Sequence, residues 1–96
     1  MVRHIVLFKL KDPSQKNLSQ TKQILLSMQG KVPQLRGIEV GCDFLHSERS
    51  YDIGLTVTVD DQKALDDYQN DSYHCDVVKK HMHTVRESSI AIDYII

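Results

Sequence analysis

The sequence has no tryptophan, and its 96 residues include only two prolines, four glycines and two cysteines. So little proline and glycine excludes collagen-like and low-complexity chains, and a composition 41% hydrophobic and 26% charged excludes intrinsic disorder. Cys42 and Cys75 are too few and too far apart for a disulfide framework and form no C-x-x-C pair, so two reduced thiols are expected. The longest uncharged apolar run is Ile5-Val6-Leu7-Phe8, far short of the roughly 20 residues a membrane helix needs. Met1-Val2-Arg3-His4 leads into no signal-peptide pattern, and a cytoplasmic protein without a membrane partner is expected. Gly-rich phosphate loops, H-E-x-x-H and G-x-S-x-G are missing as well, so no cofactor, zinc site or α/β-hydrolase chemistry is expected.

A net charge of −1 gives no reason to expect nucleic acid as a partner. Its distribution is uneven. Residues 1–36 set Arg3, Lys9, Lys11, Lys16, Lys22, Lys31 and Arg36 against Asp12 alone, whereas residues 37–96 carry an excess of acids. Attraction between neighbouring elements of one domain, or charge matching across a homodimer, accounts for such complementary halves.

Periodicity supplies the elements. Val2, His4, Val6, Phe8 and Leu10 alternate with Arg3, Lys9 and Lys11 as a strand, and Ile5 and Leu7 on its second face make it central. Asp12-Pro13-Ser14 offers a helix start, Leu18, Ile24, Leu25 and Met28 a stripe, and Gly30 a stop. Ile38 to His46 and Tyr51 to Val59 each alternate around the turn 47–50 and read as a hairpin. Asp60-Asp61 starts a helix with Ala64, Leu65 and Tyr68 inside, Asn70-Asp71-Ser72 interrupts it, and a second helical piece runs from about Tyr73 to Thr84. Ile90, Ile92, Tyr94 and Ile96 mark a last strand. The order β-α-β-β-α-β predicts a single α+β domain over 1–96, ferredoxin-like, with a four-stranded antiparallel sheet and helices on one face. The other face is expected to present Ile5, Leu7, Gly41, Leu45, Gly54, Thr56, Thr58, Ala91 and Ile95. That surface is too apolar for a solvated one, and pairing with a second copy about a two-fold axis is expected.

Histidine is the residue type left for chemistry. His4 lies in the inward series of the first strand, where a buried imidazole needs partners for both nitrogens and backbone is the common one. His74 opens the second helical piece behind Asp71-Ser72, where the helix dipole disfavours the cation, so a neutral ring able to take a proton is expected. The topology brings His4, Tyr68 and His74 to one end of the helix–sheet interface. His81 and His83 stand two apart on a helix and point in nearly opposite directions, so they form no ready metal site. Cys75 reads as a packed thiol, and the run Asp60, Asp61, Asp66, Asp67 and Asp71 as a solvated helix face, with Mg²⁺ capture the lesser alternative.

The segments 1–12, Leu35-Arg36-Gly37-Ile38, Tyr51-Asp52-Ile53-Gly54-Leu55, Ala64 through His74, and Asp93-Tyr94 together resemble the stress-responsive A/B barrel (Dabb) domains. The resemblance covers essentially the whole chain. It implies a dimeric α+β barrel of two ferredoxin-like units back to back. It also brings in a plant branch with a cofactor-independent polyketide cyclase, whose aldol condensation uses a histidine base assisted by a tyrosine. Carried over, these become His74 as base, Tyr68 as its neighbour and His4 as the strand histidine. The chain departs from that cyclase at Leu25 and Ile53, where it has a tyrosine and a histidine, and the family's His-Pro-x-His motif is reduced to Asp71-Ser72-Tyr73-His74. Three functional expectations follow. One is a barrel that binds a hydrophobic or aromatic small molecule in a His4/Tyr68/His74 pocket, which the apolar departures favour. The second is a cofactor-free enzyme, a cyclase, isomerase or monooxygenase-like catalyst, with His74 as general base. The third is a stress-protective oligomer whose pocket is filled by side chains such as Tyr51, Phe8 and Met28.

Overall fold

Four strands and three helices follow one another in the expected order in the computed structural model, which describes residues 1–96. Strand β1 (Val2–Leu10) leads through Ser14 into helix α1 (Gln15–Leu26). The Ser14 hydroxyl accepts the Asn17 amide hydrogen, satisfying one of the free donors of the first turn. The chain then turns through Gly30, whose φ of 84° suits a residue without a Cβ. Strands β2 (Gly37–Cys42) and β3 (Ile53–Val59) form the hairpin. Helix α2 (Gln62–Asn70) is capped by Asp61, which accepts from the Ala64 amide at 2.8 Å. After the break at Asp71 comes a π-helical segment, His74–Lys79, continuous with α3 (Lys80–Val85). Strand β4 (Arg86–Ile95) closes the chain.

The sheet order is β2-β3-β1-β4, antiparallel throughout. Val2, His4, Val6 and Phe8 of β1 stand opposite Val59, Val57, Leu55 and Ile53 of β3. Side chains opposite each other share a face, and this face is covered by the helices. Leu25 and Met28 from the first helical region and Tyr68 from α2 are fully buried on it. Each such side chain contributes about 1.5–3 kcal/mol through burial. Arg36 meets Asp60 through two hydrogen bonds of 3.0 Å, so part of the charge complementarity is satisfied inside the domain. No helix is long and apolar enough to cross a membrane.

Three sequence expectations need correction. Strand β2 ends at Cys42 rather than His46, and Phe44 and Leu45 are exposed in the hairpin loop, at 88% and 68%. Tyr51 precedes β3 and its ring lies 5.4 Å from the Lys9 ammonium, so it does not fill the core. Strand β4 has the opposite facing from that expected. His4 pairs with Asp93, Ile5 with Ile92 and Leu7 with Ile90, so Asp93 and Ala91 share the helix side while Ile90, Ile92 and Tyr94 share the open side with Ile5 and Leu7. Alternation fixes two sets of residues but not which set faces the helices, and β4, an edge strand away from the α1–β2 side, turns its larger apolar set outward.

The candidate pocket and its relatives

Three rings from three elements meet beneath the break between α2 and the π-helical segment. Tyr68, near the end of α2, is fully buried. The His74 ring stacks on it, with centroids 4.3 Å apart and planes at 25°, and the His4 ring meets its edge at 5.9 Å. Both imidazoles are 7% exposed. The three residues expected from the sequence are therefore brought together.

Their hydrogen bonds differ from the expected ones. His4 Nδ1 bonds the Asp93 carboxylate, not backbone, which fixes the imidazole and leaves Nε2 without a protein partner. Asp93 was not singled out by the sequence because β4 was given the wrong facing. The Tyr68 hydroxyl donates to the sulfur of Met28 at 3.8 Å, away from His74, and burial pushes its pKa far above the ordinary phenol range. His74 Nδ1 is buried without an aligned partner. Its pKa is lowered, first by burial and then by Lys79, while the nearby backbone carbonyls of Gln69 and Tyr68 oppose the shift only in part. The direction is the one its helical position suggested, with burial rather than the dipole as the leading cause. Lys79 lies five residues on, which in a π-helix is the next position along the axis, and its ammonium bonds the Gln69 carbonyl at 3.0 Å.

Beside these rings is a cavity of about 240 Å³ between the sheet and the second helical stretch. Leu25, Val78 and Met82 line its helix side and Phe8 and Leu55 its sheet side, with Lys79 and Arg86 also on its wall. Phe8 and Met28 therefore do not fill the space. Leu25 is a lining residue, as its departure from the cyclase pattern implied, but Ile53 is buried in the core and does not reach the cavity. His81 bonds the Thr21 hydroxyl at 3.0 Å while His83 borders the cavity, so the two point apart as expected. The Cys75 thiol is half-buried and donates to the Gln69 carbonyl.

The sequence profile of the stress responsive A/B barrel domain matches residues 2–96. The chain belongs to this family. No curated protein sequence matches it. Among solved structures, a dimeric protein of unknown function and ferredoxin-like fold from Bacteroides fragilis is 27% identical, with a TM-score of 0.84 over 99% of this chain and 95% of that one. A dimeric ferredoxin-like protein of unknown function from Thermobifida fusca is 20% identical, with a TM-score of 0.85 over 99% and 90%. The hydroxynitrile lyase of Passiflora edulis is also 20% identical, with a TM-score of 0.85 over 99% and 92%. These similarities establish for this A/B barrel domain the ferredoxin-like fold read from its periodicity.

Proposed function

We propose that this A/B barrel protein is a homodimer whose pocket binds a small, largely apolar molecule carrying a carbonyl or phenol group. The observation that carries the reading is a cavity with His4, Tyr68 and His74 gathered on one side and half of its lining residues apolar. The volume is below the roughly 300–1,000 Å³ of drug-sized sites, so it suits a molecule of about one ring. Dimerisation is supported by the exposed Ile90, Ile92 and Tyr94 on the open sheet face and by the dimeric Bacteroides and Thermobifida relatives.

The test is a histidine-resolved NMR titration with phenols, β-diketones and fatty acids. One class is expected to move the His4 and His74 signals together, and His74→Leu to abolish the response. Two rings titrating as ordinary exposed imidazoles, unmoved by every ligand, would contradict the reading.

Proton-transfer catalysis is favoured as a second reading by the His4–Asp93 pair, a carboxylate-oriented imidazole that shares the cavity lining with His74 across Tyr68. The relation to a hydroxynitrile lyase is consistent with a fold able to carry catalysis. In this reading His74 takes a proton next to the carbonyl, and His4, whose Nδ1–H is accepted by Asp93, presents Nε2 as an acceptor that holds a hydroxyl of the substrate. Tyr68 holds His74 by stacking, since its hydroxyl is directed at Met28. A positioned base is worth about 10²–10⁴ in rate, so deuterium exchange of phenylacetone in D₂O should accelerate by that order and fall to background in His74→Gln. Equal exchange with and without protein would remove the catalytic reading and leave binding untouched.

A further inference from the structure

Arginine 86 is the first residue of β4, and its direction is set by an irregularity in the β1–β4 ladder. Phe8 pairs with Ser89 and Lys9 with Ser88, but Leu10 pairs with Arg86, so Glu87 is an extra residue. Strict alternation from Ser89 would place Glu87 on the helix side and Arg86 on the open side. The bulge reverses this and turns Arg86 to the side of buried Leu10, where it lines the cavity together with Ser89. Bulges that re-aim a side chain beside a site are a recurrent device.

Arg86 is only partly exposed as a residue and has no carboxylate partner: none of the ion pairs or side-chain hydrogen bonds of the structure involves it. Lys79 contributes a second cation to the same wall, anchored on the Gln69 carbonyl. No Asp or Glu lines the cavity, although residues 37–96 are rich in acids. Asp93, which shares the helix side of β4, bonds His4 and borders a different depression, with Val2 and Leu65. The cavity therefore combines an apolar surface with two cations and no carboxylate in its lining.

We propose that Arg86, supported by Lys79, is the anion-recognising residue of the pocket, and that its ligands are small amphipathic carboxylates with an aromatic or short aliphatic body. The inference rests on the ligand-binding reading of the pocket and names the chemical class. The planar fork of arginine matches a carboxylate through two parallel N–H···O bonds, and a guanidinium has a low hydration cost in a partly buried position. The body of the ligand occupies the wall formed by Leu25, Val78 and Met82 and packs beside the His74 ring.

Phenylacetate and its neutral isostere phenylacetamide serve as probes, with ¹H–¹⁵N spectra of the full chain following the Arg86 guanidinium and the His74 ring. The wild type is expected to bind phenylacetate at least about tenfold more tightly than phenylacetamide. Arg86→Met should remove that preference while phenylacetamide still moves His74, showing that the pocket is folded, and Arg86→Lys should restore part of it. Equal affinity for the two probes in the wild type, or a preference that survives Arg86→Met, overturns the role of Arg86 and leaves the pocket reading standing. No response of His74 to either probe overturns both.

Discussion

Tyr68 carries its ring between two imidazoles and its hydroxyl against a thioether, and the two ends of the side chain differ in energetic weight. Removing the ring opens a cavity in the core, so Tyr68→Ala should cost about 3–5 kcal/mol. Tyr68→Phe removes only a bond to a weak acceptor and should cost less than about 1 kcal/mol. Thermal unfolding of both variants checks the contrast, and a Phe variant as unstable as the Ala one would mean the hydroxyl is the anchor. His74 makes a second prediction. Its folded pKa lies below its unfolded value near 6.5, so the unfolded chain binds more protons in that window and stability falls as pH drops through about 6.5. His81 acts in the same direction through burial. The unfolding midpoint should therefore fall between pH 7 and 5.5, and His74→Gln should flatten part, not all, of that slope. His4, Tyr68 and His74 were legible from the sequence because each sits in a clear apolar series or beside a turn signal. Asp93 and Arg86 were not, since their direction depends on the register and bulge of β4, which no local pattern encodes.

Helices α2 and α3 show what local signals can and cannot specify. The interruption at Asn70-Asp71-Ser72 could be read directly: Asp71 bonds the Tyr73 amide through its side chain and starts the next helix as an Asx turn does. The π-helical winding of His74–Lys79 could not, because inward positions His74 and Val78 are four apart and fit either helix type. That winding places Lys79 beside His74, and π segments are frequent at functional sites. Capping is the simplest energetic feature to test. Asp61 accepts the Ala64 amide, and Asp61→Ala should lower stability by about 1 kcal/mol, a fall of about 4–8 °C in Tm for a domain of this size. Asp61→Asn, which keeps an acceptor, should recover most of it.

The whole molecule has one face closed by helices and one face open, and the open face is more apolar than the sequence suggested. With β4 reversed, Ile90, Ile92 and Tyr94 join Ile5 and Leu7 instead of Ala91 and Ile95. The correction strengthens the original reason for proposing a dimer. Ile92→Glu places a charge among the exposed apolar residues of that surface and should convert a dimer to monomer in equilibrium sedimentation, with His4 and His74 still on either side of Tyr68. A wild type already monomeric at micromolar concentration would contradict the pairing. Ligand binding is more directly tested by location. Intermolecular nuclear Overhauser effects between p-cresol and the methyl groups of the protein should appear at Leu25, Val78 and Met82, the wall beside His74. Effects confined instead to Leu45 of the hairpin loop, or to Ile90 and Ile92 of the open face, would show that the molecule binds elsewhere and that the cavity is not the site.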